Sequence, residues 1–234
     1  MTDRHHLESK FAQLTAELWA CSDFKALEDG SASWDQYDAF VANLIRSHLR
    51  SPQIVAFLYA LAPPQATVSI EENMLEELGR GDESGVSHPS LLEGLAAAAG
   101  LSLAPIEDLA ILDLRRMATE PLPYGTLRET GLVALTQVCS FEWMLSRTSS
   151  RMAAALSRHR GLSLGQLEWF TLHSEVDIQH AEEGLNNLIA YMAYYEFSTE
   201  DAEAIVEMAL RENLFIKRYF GELPLARTRL GVSK

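Results

Sequence analysis

Apolar residues recur at helical spacing along almost the whole chain. In "RHHLESKFAQLTAELWA", Leu7, Phe11, Leu14 and Leu18 fall on one helical stripe. Ser33 predicts an N-cap for "WDQYDAFVANLIRSHL". "SPQIVAFLYALA" opens with Pro52 in a first turn and stops before Pro63 and Pro64. A helix through "VSIEENMLEELG" should end at Gly79, with "RGDESGVS" as a loop. The next, "HPSLLEGLAAAAG", begins at Pro89 and ends at Gly100. "APIEDLAILDLRRMA" carries acids early and arginines late, as the helix dipole favours. "TLRETGLVALTQVCSFEWMLS" and "SSRMAAALSRH" predict two further helices. Ser163 caps a single long helix reaching about Phe197, and Ser198 with Glu200 and Asp201 opens the last one, "TEDAEAIVEMALRENLFIKRYFGEL". Strand alternation, repeats and linker-like tracts are missing. The pattern predicts one all-α domain over residues 1–234, with residues 223–234 as a loose tail. A bundle of roughly seven to ten helices follows.

Composition narrows the function classes. The 234 residues suffice for a sizeable core, and the hydrophobic fraction of 47% is ordinary for a globular domain. A net charge of −14 leaves no basic footprint for nucleic acid and no polybasic patch for a membrane surface. The N-terminal region lacks the basic start and apolar run of a signal peptide, and no apolar stretch approaches a membrane span. Cys21 and Cys139 lack C-x-x-C spacing and read as buried thiols. These features lead us to expect a soluble cytoplasmic domain.

One segment changes the picture. In "FTLHSEVDIQHAEEGL", advancing ~100° per residue from His173 puts Asp177 at about +40° and His180 at about −20°. Imidazoles and a carboxylate at i, i+4, i+7 present ligands to one point; a solvated polar face is the competing reading. Glu142 lies on a stripe with Leu135, Val138, Cys139 and Leu145, where a carboxylate needs a cation or a buried ion-pair partner. Glu77 shares a face with Ile70 and Met74, and His88, just before Pro89, is a candidate ligand or a helix cap. Together Glu77, His88, Glu142, His173, Asp177 and His180 offer three carboxylates and three imidazoles. Two divalent ions would set +4 against −3, and the mixed N/O donors suit iron or manganese better than a closed structural zinc site.

These residues carry a resemblance. "NMLEELG…SHPSLL" and "EWFTLHSEVDIQHAEEGL" resemble the two signature segments of the heme-oxygenase-like diiron oxidases, the iron-containing redox enzymes related to the thiaminase-like and pyrroloquinoline quinone synthase proteins. The resemblance runs from about Val41 to Asn187. It implies a heme-oxygenase-like bundle of about seven core helices around a pair of Fe(II) ions, with Fe/Mn as the variant and O2 as co-substrate. The ligands it implies are Glu77, His88, Glu142, His173, Asp177 and His180, with Glu142 and Glu77 also in the catalytic role; Glu76 stands beside Glu77 as the alternative. Family chemistry is oxidative decarboxylation or C–C and C–N fragmentation of fatty or amino acids, so the expected partner is a small carboxylate-bearing substrate. A homodimer is compatible with it. Phe141 stands where the para-aminobenzoate-forming branch carries tyrosine, which disfavours a self-sacrificing route. Phe141, Trp169, Phe170 and Tyr191 are candidate pocket walls, and Arg147 a candidate for steering the carboxylate. The rivals are a cofactor-free or thiol-dependent enzyme of the thiaminase-like branch, with Cys139 as its thiol, and a metal-binding or interaction protein. Ferritin-type Glu-x-x-His pairs are not found.

Overall fold

A computed structural model describes residues 3–80, 85–119 and 125–211, and every regular element among them is helical. The expected loose tail, residues 223–234, lies outside the described residues. In chain order the α-helices are α1 (Arg4–Ala20), α2 (Ser22–Asp29), α3 (Trp34–His48), α4 (Ser51–Ala60), α5 (Thr67–Glu77), α6 (His88–Ala98), α7 (Leu103–Thr119), α8 (Leu127–Ala155), α9 (Glu168–His173), α10 (Val176–Tyr194) and α11 (Thr199–Arg211). Among the described residues no helix is long and apolar enough to cross a membrane.

Local chemistry sets most boundaries. Ser33 caps α3 in a reciprocal capping box with Gln36, and Thr126 does the same for α8 with Glu129. Asp3 caps α1, whose first turn Arg4 ties to Glu8 at 2.8 Å.

Three elements differ from the sequence pattern. The short helix α2 was not expected; the Cys21 sulfur accepts from the Phe24 N–H at its start, and Gly30 ends it at φ 87°. The two helices expected between Thr126 and His159 are one continuous α8, which closes in a π-turn at Leu156–Arg160. The polar run around Ser146 does not break it, because the Ser140 and Ser146 hydroxyls donate back to the Gln137 and Trp143 carbonyls, and Thr148 accepts from the Trp19 indole at 3.1 Å. The single helix expected from Ser163 to Phe197 is interrupted. A 3-10 turn at Leu164–Leu167 leads into α9, Ser174 and Glu175 form a turn, and α10 follows. There the Ser174 hydroxyl donates to the Thr171 carbonyl at 2.7 Å and the Glu175 N–H to the Leu172 carbonyl at 2.9 Å.

The core has two halves. One gathers apolar side chains of α2, α3, α6, α7, α9 and the C-terminal part of α8, around Phe40, Leu92, Met144 and Phe170. The other gathers α1, α4, α5, α10, α11 and the N-terminal part of α8, around Phe11, Leu132, Leu185 and Val206. Helix α8 belongs to both and is the axis of the bundle. Its contact with α10 is close at Gly184, where an added Cβ would stand 2.7 Å from the Cys139 sulfur and 2.9 Å from its Cβ.

Gly184→Ala should therefore push α8 and α10 apart and cost about 1–3 kcal/mol of stability, as overpacking does. Adding Cys139→Ala should restore part of that loss. Thermal denaturation of the two single variants and the double variant checks both outcomes.

Candidate metal centre

The six candidate ligands line a cleft where the two core halves meet. Helix α5 ends at Glu77, and Gly79 then reverses the chain at φ 68°. A side chain on Gly79 would meet the Ser87 nitrogen at 2.6 Å, so the returning loop lies directly against the end of α5. This close return sets His88, the first residue of α6, beside Glu77. Ser87 caps α6 by accepting from the Ser90 N–H at 3.3 Å, so His88 is not the cap, and its ring turns inward with 3% exposure. The His88 Nδ1 lies 3.3 Å from Glu77 Oε1, close enough for charge attraction but at an angle too poor for a hydrogen bond. Burial works against the charge on His88, yet Glu77 raises its pKa above the ordinary value. The Ser51 hydroxyl donates to the other oxygen of Glu77.

His173, the last residue of α9, completes a cluster. Glu77, His88 and His173 are all buried, and each offers a ligand atom within 4.8 Å of the others. The Trp169 carbonyl accepts from His173 Nδ1 at 2.7 Å, which assigns the proton to Nδ1 and leaves the Nε2 lone pair available. Burial, and then His88, push the His173 pKa well below its ordinary value, so the ring is neutral. Trp169 stacks on it at 4.0 Å.

Glu142, Asp177 and His180 form a second group across the same cleft. Asn73 of α5 donates to Glu142 at 2.8 Å. His180 meets Asp177 through Nδ1 at 3.4 Å and Glu76 through Nε2 at 3.0 Å. Burial opposes its charge, but these two carboxylates raise its pKa to about 11. Burial also raises Asp177 to about 6 and Glu142 to about 7. Among the described residues Asp177 Oδ2 is buried with no hydrogen-bond partner. An unpartnered buried carboxylate oxygen among three converging acids is what a cation would satisfy.

The turn at Ser174 and Glu175 changes how the helical stripe works. His173 clusters with Glu77 and His88, while His180 pairs with Asp177, and all of them line one cleft with Glu142. Glu76 and Glu77 take different partners: Glu77 lies beside His88, and Glu76 reaches His180.

The remaining candidates separate. Phe141 lines the cleft. Trp169 stands behind it, 1% exposed and stacked on His173. Phe170 packs in the core against Phe40 at 6.4 Å and does not reach the cleft wall. Tyr191 donates to the Arg128 carbonyl at 3.0 Å; eleven residues past His180, it sits about 16 Å farther along the helix axis. Arg147 is also away from the cleft. Five residues past Glu142 is ~140° around the helix, and its guanidinium lies 3.5 Å over the Trp143 ring and donates to the Trp143 carbonyl. Cys139 lines a smaller cavity on the far side of Glu142, and burial, then Glu142, raise its pKa well above the ordinary thiol value, against a thiolate role. Pattern reading did not find His48, Ser51 or Asn73. Their signals were weak: one histidine ending an apolar helix, one serine at a helix start, one asparagine among glutamates.

A family model described as iron-containing redox enzyme matches residues 38–214. The chain belongs to this family. The matched span contains all six candidate ligands. Its fold is similar to a solved domain of unknown function from Shewanella denitrificans OS217, described as having a heme oxygenase-like fold, with TM-score 0.65 and 16% identity over 100% of this chain and 97% of that one. No curated protein matches. An iron-containing redox enzyme on a heme oxygenase-like fold accounts for a buried donor cluster at the centre of an all-helical bundle.

In the metal-free protein the raised pKa of Glu142 gives a stability contribution that is full below its ordinary value of 4.5 and lost as the pH rises through about 7. Glu142→Gln should thus stabilise the metal-free chain by about 1–3 kcal/mol at pH ~8 and leave it unchanged near pH ~4. Thermal denaturation of chelator-treated protein at the two pH values reads the difference.

Proposed function

We propose that the chain is a nonheme diiron, O2-dependent oxidase or oxygenase acting on a small carboxylate-bearing substrate, by oxidative decarboxylation or C–C or C–N fragmentation. The observation that carries this reading is the convergence of three carboxylates and three imidazoles from α5, α6, α8, α9 and α10 on one cleft. Membership of the iron-containing redox enzymes supports it.

The donor set fits the metal. Glu77, His88 and His173 would hold one ion, and Glu142, Asp177 and His180 the other. The −3 of these carboxylates would be offset by the +4 of two Fe(II) ions, and the lone Asp177 oxygen is available as a donor to one of them. When bound, reduced iron supplies the electrons for O2 reduction, which these side chains lack.

The chain's own residues prepare the site. The Trp169 carbonyl fixes the His173 tautomer, Ser51 orients Glu77, and Asn73 orients Glu142. Val55, Val138, Phe141 and Leu145 give the cleft an apolar wall that keeps water from the reacting atoms. The substrate's hydrocarbon part would lie on this wall. Glu76, paired with His180 and partly exposed, would pass protons between the cleft and solvent.

Protein purified anaerobically from iron-supplemented cells should carry about two irons per chain. His173→Ala and Asp177→Ala should each lose at least one of them while keeping the helical circular-dichroism signal. Fatty or amino acids should accelerate O2 uptake by the wild type and not by the variants. Wild-type protein without tightly bound iron under these conditions would refute the proposal.

A further inference from the structure

The cavity on the far side of Glu142 is walled by α4, α5, α8 and α10. Val55, Val138, Glu142 and His180 line both this cavity and the cleft, so they form the partition between the two spaces. The two sides meet solvent differently. In the cleft the half-buried lining residues are Ile54, Val138 and Glu142, and the others are buried. The second cavity adds Ser69, Asn73 and Glu183 as half-buried members. Solvent therefore reaches the cleft past aliphatic side chains, and the second cavity past a hydroxyl, an amide and a carboxylate.

These polar residues are in register. Ser69 and Asn73 lie one turn apart on α5, and His180, Glu183 and Asn187 follow at i, i+3 and i+7 on α10. The Ser69 hydroxyl donates to Asn187 Oδ1 at 3.1 Å, and Asn73 donates to Glu142 at 2.8 Å. Asn187 is only 8% exposed, so the polar lining continues beneath the surface, where apolar side chains would be cheaper to bury. The Glu183 carboxylate, the Asn187 amide oxygen, the Ser69 hydroxyl and the Glu142 carboxylate are hard oxygen donors, the kind that replace water around a divalent cation. Neither lysine nor arginine lines the cavity among the described residues.

We infer that this passage between α5 and α10 is the route by which a divalent metal ion reaches the centre. Glu183 stands at its mouth and Glu142 at its inner end. The aliphatic opening at Ile54 is left to the substrate. The route rests on the metal reading above. Glu183, Asn187 and Ser69 do not hold the bound ion in this scheme; they lower the barrier on its way in and, by the same amount, on its way out.

The test is stopped-flow uptake of Co(II), followed by its visible absorption, into the chelator-stripped full chain. Glu183→Gln removes the charge at the mouth and keeps the shape. Asn187→Leu replaces a polar wall by an apolar one of similar size, and Ile54→Phe narrows the other opening. Uptake by Glu183→Gln should be about threefold to tenfold slower and less sensitive to ionic strength than in wild type, as loss of electrostatic steering requires. Asn187→Leu should slow uptake and chelator-driven release by one common factor of up to about tenfold, the scale of a lost polar contact. Ile54→Phe should load at the wild-type rate, and the metal bound at saturation should match wild type in all three variants. Wild-type rates in both Glu183→Gln and Asn187→Leu would overturn the inference, as would slow loading confined to Ile54→Phe. Lower saturation in Glu183→Gln would overturn it too, by marking that residue as a ligand. Two ions bound per chain with unaltered rates sinks the route and leaves the oxidase reading intact. Slowed uptake in both passage variants of a chain that consumes no O2 with any fatty or amino acid sinks the oxidase reading and leaves the route standing.

Discussion

The arrangement depends on one electrostatic constraint: three carboxylates share a cleft inside a helical bundle, where water solvates them poorly. Their repulsion and lost hydration raise Glu142 and Asp177 and draw His180 into a doubly paired cationic state. A simple core would place leucines here. The bundle instead gathers these acids where its two apolar halves meet, in a cleft lined by Phe141 and Leu145 of one half and Val55 of the other. Protons and His180 balance these acids in the metal-free chain; a cation pair would do so more completely.

Backbone features serve this seam. Gly79 lets the chain fold back tightly enough to set His88 against Glu77, and Ser87 takes the capping role that would otherwise occupy the imidazole. The turn at Ser174 and Glu175 interrupts a segment whose apolar spacing would continue one helix. That interruption separates His173, at the end of α9, from Asp177 and His180 on α10. Helix α8 does the reverse. It runs unbroken through a polar stretch because its hydroxyls are satisfied within the helix, and so it carries Glu142 from one core half toward the other.

The aromatic side chains divide between packing and the site. Phe170 and Tyr191 fill the core, one against Phe40 and the other against the α8 backbone. Phe141 and Trp169 instead flank His48, and Trp169 also buttresses His173 through both its ring and its carbonyl. A single residue thus fixes the tautomer of one imidazole and packs against another, which couples the donor cluster to the wall of the cleft.

Local sequence determined the helical class, most helix starts and stops, and the identity of six of the polar residues that meet in the cleft. Helical period, caps and the glycine and proline breaks are encoded within a few residues of one another, so they can be read without the fold. The tertiary structure alone decided how these residues are grouped. Whether Glu76 or Glu77 faces His88, that Arg147 points away, and that His48 enters the cleft all depend on helix rotation and on contacts between segments far apart in the chain. A helical stripe fixes angle but not depth, so Tyr191 shares the angle of His180 and lies too far along the axis. The break before α10 came from the same source: turn hydrogen bonds at Ser174 and Glu175 and the fit of His173 against Trp169 prevail over an apolar spacing that favours continuity.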